Sequence, residues 1–299
     1  MKMRVAFLIQ CHKVTNALIY NIKKFTSSRF VDVYIHVDLK VDIENFDVIS
    51  HYENVFFIKS RVNVKWGGVS QIHAALNSFY EIRDFKYDYI SFMSGDEVFY
   101  KSVDEFIGFL SFYYGKEFIG FQKKEGRAVP CFEERVDYIY PDFFYKRNPS
   151  ILEKLMRRFY LITFRLGMNK NKKKCSLKSF YKGSNWFTLT GVAVDYILSR
   201  VENESEILSF FERSFCGDEV FFQSIIMDSL FKCEIFKLES EDVSDNDMSL
   251  RYIDWDSGPD YPKVFEEKDL IDMPSKDCFF VRKVAEKISV NFYFEEFGK

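Results

Sequence analysis

Two adjacent carboxylates, Asp218 and Glu219, stand directly ahead of an apolar run in Cys216-Gly217-Asp218-Glu219-Val220-Phe221-Phe222-Gln223. Carboxylates at such a point suit two jobs. In the first turn of a helix they are favoured by the positive end of the helix dipole, and beside a substrate hydroxyl one of them can take a proton as a general base. Phe222, Ile225, Ile226 and Leu230 follow at helical intervals, so the pair is expected at the start of a buried helix. A capped core helix is the plainer reading, since acidic first turns are common. Glu219 is the candidate base.

A second acidic pair, Asp96-Glu97, follows the apolar stretch from Tyr87 to Met93 in Ser94-Gly95-Asp96-Glu97. At the end of a strand, a D-x-D motif commonly holds a divalent ion that neutralises a departing diphosphate. One Asp of that motif is missing here. Asp245-Asn246-Asp247 and Asp254-Trp255-Asp256 do match it, but neither follows a central strand, and chance is the simpler account. Lys263, Arg282 and Lys283 offer fixed cationic donors to phosphate oxygens instead. In Trp66-Gly67-Gly68-Val69-Ser70 the glycines permit a sharp turn or a close backbone approach, and Ser70 can cap the next helix.

The elements that must carry these groups read as α/β. Val5 to Ile9 and Val33 to Val37 are buried strands around a helical pattern from Asn16 to Phe25, which makes a βαβ opening and predicts a mostly parallel central sheet flanked by helices. Further strands are expected over 55–58, 87–93, 118–122, 186–189 and 250–255, and helices over 71–85, 104–114 and 192–201. A polar loop is expected over 239–249. Ligands of such sheets bind at the carboxyl ends of the strands, so His12, His36, Asp38, Asp96 and Glu97 are site candidates by position.

With 299 residues the chain can bury one large core, read as a single domain with a nucleotide-binding half over 1–122 and an acceptor-binding half over 123–299. A net charge of -3 argues against nucleic acid as a partner. Aromatics at 19% promise stacking surfaces for ring-shaped ligands. The apolar run at the N-terminus is too short to span a bilayer and lacks a small-residue cleavage site, so it reads as the first strand of a cytoplasmic protein. Six scattered cysteines read as reduced thiols, and four dispersed histidines give no zinc pattern. The segment from Ile151 to Lys174 is strongly basic with interleaved apolar residues. It reads either as a helix packed on the domain ahead of a solvated lysine loop, or, through residues 154–174, as a peripheral contact with the inner face of the cell membrane.

Several stretches resemble, in order, the core-2/I-branching N-acetylglucosaminyltransferases and protein xylosyltransferases. They are Tyr34-Ile35-His36-Val37-Asp38, Trp66-Gly67-Gly68-Val69-Ser70, Ser94-Gly95-Asp96-Glu97, Lys182-Gly183-Ser184-Asn185-Trp186-Phe187-Thr188-Leu189, Gly217-Asp218-Glu219, Leu250-Arg251-Tyr252-Ile253-Asp254-Trp255 and Phe280-Val281-Arg282-Lys283. The resemblance implies a GT-A-like fold and an inverting transfer from a UDP-sugar to a hydroxyl of a glycan acceptor, with no cofactor and no metal ion; the basic segment adds a lipid-linked glycan as an alternative acceptor. It makes Glu219 the base and Lys283 a contact to the donor diphosphate, with His36 and Asp38 on the nucleotide side and Trp255 bordering the acceptor sugar. Beside these, His12, Trp66, Gly67, Ser94, Asp96, Glu97, Lys263 and Arg282 are read as donor-side candidates. Arg135, Trp186, Asp218 and Trp255 fall on the acceptor side.

The chain departs from the family at Ser94-Gly95-Asp96-Glu97-Val98-Phe99, where S-G-x-D-Y-P is usual. With no anchor or disulfide pattern legible, a bacterial-type enzyme of surface-polysaccharide synthesis is expected. Two rivals remain open from the sequence. One is a metal-dependent transferase using Asp96 and Glu97, and the other a nucleotide-sugar or glycan-binding protein without turnover.

Overall fold

The computed structural model describes residues 3–124, 127–128, 133–258, 262–271, 273 and 278–298. In chain order, β1 (Val5–Cys11), α1 (Asn16–Phe25), β2 (Val31–Val37), α2 (Asp47–Ser50) and β3 (Val55–Phe57) are followed by α3 (Ser70–Ile82), β4 (Tyr89–Ser94), β5 (Val98–Phe99) and α4 (Val103–Phe112). Then come a two-residue hairpin, β6 (Lys123–Lys124) and β7 (Arg127–Ala128), and the helices α5 (Glu133–Val136) and α6 (Ile151–Arg165). The rest is β8 (Phe187–Thr190), α7 (Gly191–Asn203), α8 (Ser205–Phe211), α9 (Asp218–Met227), α10 (Asp245–Met248), β9 (Arg251–Ile253), α11 (Glu267–Ile271), β10 (Phe280–Arg282) and α12 (Val290–Phe297).

The main sheet has the order β3-β2-β1-β4-β8, with β8 alone antiparallel to its neighbour. Its strands read as continuous apolar runs because helices cover both faces. One face buries Ala6, Leu8, Ile90 and Phe92 beneath α3, α7 and α9. The other buries Phe7, Ile9, Val33 and Met93 beneath α1 and α4, with Phe7 stacked on Phe25 at 3.7 Å between ring centroids. Full burial of one such ring stabilises the fold by about 1.5–3 kcal/mol. Polar side chains fix where the helices begin. Thr15 accepts from the Leu18 amide at α1, and Ser102 and Glu105 close a capping box at α4.

A small second sheet, β5-β10-β9, sits beyond the carboxyl end of β4. Its middle strand, β10, pairs antiparallel with β5 and parallel with β9. Both sheets draw strands from before and after position 122.

Two expectations need correcting. Residues 118–122 form no strand; Phe118 makes a single bridge to Thr188, after which the segment turns away and the Gln122 amide bonds to Lys182 O at 2.8 Å. Its apolar character comes from burial of Phe118, Ile119 and Phe121. The polar stretch 239–249 contains α10, capped by Ser244 and Asp247, so Asp245-Asn246-Asp247 is a helix start. The described cysteines are all free thiols, and Cys131 lies outside the described residues.

Candidate active site

β4 ends at Ser94, and the chain turns through Gly95 hard against β1. A Cβ on Gly95 would lie 2.7 Å from Cys11 Cβ, so only glycine lets the turn pass. The turn presents Asp96 to the end of β10. Lys283 Nζ lies 2.9 Å from Asp96 Oδ2, Arg282 Nε lies 3.8 Å from Oδ1, and the Ser94 hydroxyl donates to Oδ1. Burial works to raise this carboxyl, but the charges of Arg282 and Lys283 outweigh it and hold the group down at about 2. Asp96 is therefore a fixed anion paired with two cations. Its neighbour Glu97 is fully buried, with Oε1 4.0 Å from the same Arg282 Nε. Glu97 Oε2 meets Arg251 Nε at 3.2 Å, and Arg251 Nη2 also donates to Phe92 O at 2.8 Å.

Asp96 is thus engaged by Lys283 and Ser94, and Glu97 by Arg251. Among the described residues no group of three or more His, Cys, Asp or Glu side chains could hold a metal ion.

The second carboxylate pair lies at the start of α9. Asp218 is 4% exposed, with Gln71 Nε2 of α3 donating to Oδ2 at 3.1 Å while Oδ1 has no hydrogen-bond partner. Burial, with the adjacent charge of Glu219, pushes its carboxyl well above the usual carboxylate range against the pull of Arg135 and Arg282. Glu219 has a side chain 33% exposed. Its Oε2 accepts from Arg135 Nη1 at 2.8 Å and lies 3.5 Å from Lys182 Nζ. Of the pair, Glu219 can meet a substrate and Asp218 cannot without rearrangement. Asp218 supports the helix start from within.

Two loops set this helix start. Gly67, at φ +69°, accepts from the Cys216 amide at 2.7 Å, and a Cβ on it would press on Phe215 and Cys216. Gly183 N donates to Glu219 O at 2.9 Å, and Gln223 Nε2 donates to Ser184 O at 2.6 Å. The segment from Lys182 to Trp186 is thereby zipped along α9. At its far end Trp186 is buried beneath the Arg282 guanidinium, 5.3 Å from the ring centroid. Arg282 thus links Trp186 to the Asp96 turn, 3.8 Å from Asp96 Oδ1.

The remaining candidates fall in three groups. His12 is exposed at the end of β1, within electrostatic reach of Asp38 and Asp96. Asp38 is buried at the end of β2, where Oδ1 accepts from the Lys40 and Val64 amides. His36 is fully buried and accepts from the Val62 amide at 3.1 Å, so it builds the wall behind the strand ends and does not face the opening. Trp66 and Trp255 expose about half their surface or a little less, as stacking residues would. Lys263 pairs with Asp269 at 2.9 Å, and its amide bonds to Asp254 O beside Trp255. That puts Lys263 in the Trp255 loop, apart from the Asp96 cluster in its pairing. Asp254 Oδ1 accepts from the Asp256 and Ser257 amides, which makes the second D-x-D match a turn. Gln71, Lys182 and Arg251 were not legible as site residues. Lys182 and Arg251 stand inside the family-like stretches, but nothing local says that they meet carboxylates.

The site thus combines a mostly parallel sheet flanked by helices, a cation-bound acidic turn at its carboxyl edge and a carboxylate pair opening the neighbouring helix. The chain belongs to the Core-2/I-Branching enzyme family, which it matches over residues 5–275. It is similar to Xylosyltransferase 1 of Rattus norvegicus, with 23% identity over 233 residues covering 76% of this chain and 26% of that protein. The chain therefore spans about a quarter of that relative's length. Among solved structures it is similar to S. aureus TarS, at 14% identity over 50% of this chain and 28% of that one. For TarS 1–349 the identity is 12%, with 77% and 73% covered, and the TM-score is 0.29 in both cases.

Proposed function

We propose that the protein transfers a sugar, GlcNAc- or xylose-like, from a UDP-sugar to a hydroxyl of a surface-glycan acceptor, with inversion and without a metal ion. Glu219 accepts the proton of the acceptor hydroxyl as its oxygen forms a bond to the anomeric carbon. The bond from that carbon to the diphosphate oxygen breaks, and UDP leaves with the electron pair. Lys283 and Arg282 neutralise the charge that develops on the diphosphate, which is the work a divalent ion does in other transferases. Trp66 and Trp255 offer exposed faces for sugar or base stacking.

The observation that carries this reading is the gathering of Arg282 and Lys283 on Asp96 at the end of a central strand, with Glu219 partly exposed at the start of α9. A fixed cation pair can neutralise a departing diphosphate as a metal ion would. The test is a panel of UDP-sugars followed by melting temperature, with and without EDTA, since a ligand of the native state raises the melting point. UDP-sugars should raise it equally in both conditions, and radiolabelled sugar should pass to a hydroxylated acceptor. No shift with any UDP-sugar, or a shift abolished by EDTA, would overturn the proposal.

A further inference from the structure

Among the described residues, helix α6 is anchored by one face only. Phe164 stacks on Tyr138 at 4.0 Å between ring centroids, Tyr160 donates to Ile139 O, and Arg157 donates to the carbonyls of Phe143, Phe144 and Lys146. The opposite face carries Leu152, Leu155, Met156, Phe159, Ile162 and Leu166, spaced three and four apart and all exposed, Leu152 and Phe159 to about two thirds of their surface. A continuous apolar stripe of this kind marks a contact surface.

Its surroundings indicate what covers it. Residues 146–178 hold eleven Lys and Arg and one acidic residue, Glu153, in a chain whose net charge is -3. Among the described residues Lys154, Arg158, Lys170, Lys172 and Lys174 make no ion pair, and all five are exposed. Lys154 and Arg158, one turn apart, flank the stripe. A symmetric dimer through this face would bring the basic flank of one copy against that of its mate. An anionic bilayer satisfies both halves of the surface at once. At 15 residues α6 is too short to cross a membrane, and no helix among the described residues is long and apolar enough to do so.

We propose that α6 lies in the plane of an anionic lipid bilayer, its apolar face in the acyl boundary and the surrounding lysines and arginines on the headgroups. The inner face of α6 packs on an aromatic cluster that includes Phe215, which lies four residues ahead of Glu219. One layer of rings therefore separates the docked helix from the loop that opens α9.

The inference does not depend on the transferase reading. Its test is flotation of the full chain with vesicles of phosphatidylcholine, with and without phosphatidylglycerol, at low and high salt. Binding is expected only with phosphatidylglycerol, weakening as salt rises. The pair Phe159→Ser and Ile162→Ser should abolish it, and Lys154→Glu with Arg158→Glu should weaken it by about tenfold or more. These side chains are exposed, so melting temperature and the UDP-induced shift should stay at parental values and report separately on the fold and the donor site. Absence of binding at low salt, or binding indifferent to both variant pairs, overturns the proposal. So does self-association of the parent in sedimentation that Phe159→Ser abolishes, which would assign the stripe to a second copy.

Discussion

Arg135 Nη1 lies 2.8 Å from Glu219 Oε2, and this single ion pair ties α5 to the first turn of α9. A carboxylate held at one oxygen is oriented while its other oxygen stays available. Transfer would require the acceptor hydroxyl to reach that second oxygen with Arg135 still in place or swung aside.

Glu219→Gln keeps the size and hydrogen-bonding reach of the side chain and removes the proton acceptor. Turnover should fall by about 100-fold to 10,000-fold, the usual contribution of a general base. The UDP-induced rise in melting temperature should survive. Turnover close to the parent's would remove Glu219 from the role of base.

Lys283→Ala should weaken UDP binding about tenfold to a hundredfold, the value of one charge-assisted contact. Titration calorimetry with UDP reads this directly. Asp96→Asn should loosen Lys283 without removing it, and so should affect binding less than Lys283→Ala does. Equal affinities across the three proteins would show that the pair has no part in donor binding.

Glu97 and Arg251 are both fully buried, so breaking the pair strands a charge in the interior. Glu97→Gln should cost about 3–5 kcal/mol by denaturant unfolding. Replacing both at once, Glu97→Leu with Arg251→Met, should cost clearly less than the sum of the two single changes. Additive losses would mean that the two groups act independently.

Glu117 supplies a pH test away from the site. Burial pushes its carboxyl up to about 7, although Thr190 donates to it through both its amide and its hydroxyl, at 2.8 and 2.6 Å. The folded state therefore holds a proton that the unfolded chain releases near the ordinary carboxylate value of about 4.3. The associated stability is present below that value and is lost as pH rises toward 7. In Glu117→Gln this part of the pH dependence should vanish. The parent should lose melting temperature relative to the variant between about pH 4.5 and 7. Parallel pH profiles would show that Glu117 does not titrate in this range.

Much of the main sheet was legible because parallel strands buried on both faces leave unbroken apolar runs, as from Val5 to Ile9 and from Tyr89 to Met93. The same signal misled at 118–122, where burial without a ladder looks identical in sequence. The β5-β10-β9 sheet was missed as a unit since two- and three-residue strands carry no period. At the site, positions at strand ends and helix starts could be read, but partners could not. Asp96 and Glu97 are adjacent and alike in chemistry. Only the packing of Arg251 and Lys283, far along the chain, buries one carboxylate completely and leaves the other partly exposed.

β10 also says something about the order in which the protein comes together. It is the middle strand of its sheet, and it follows both of its neighbours in the chain. The bond between Asp96 and Lys283 closes a loop of well over a hundred residues, an entropic cost met only when much of the fold is already in place. The cation cluster should therefore be among the last features to form during refolding and among the first to open under mild denaturant. Nucleotide affinity would then gauge the completeness of folding, lost while most of the main sheet is still intact.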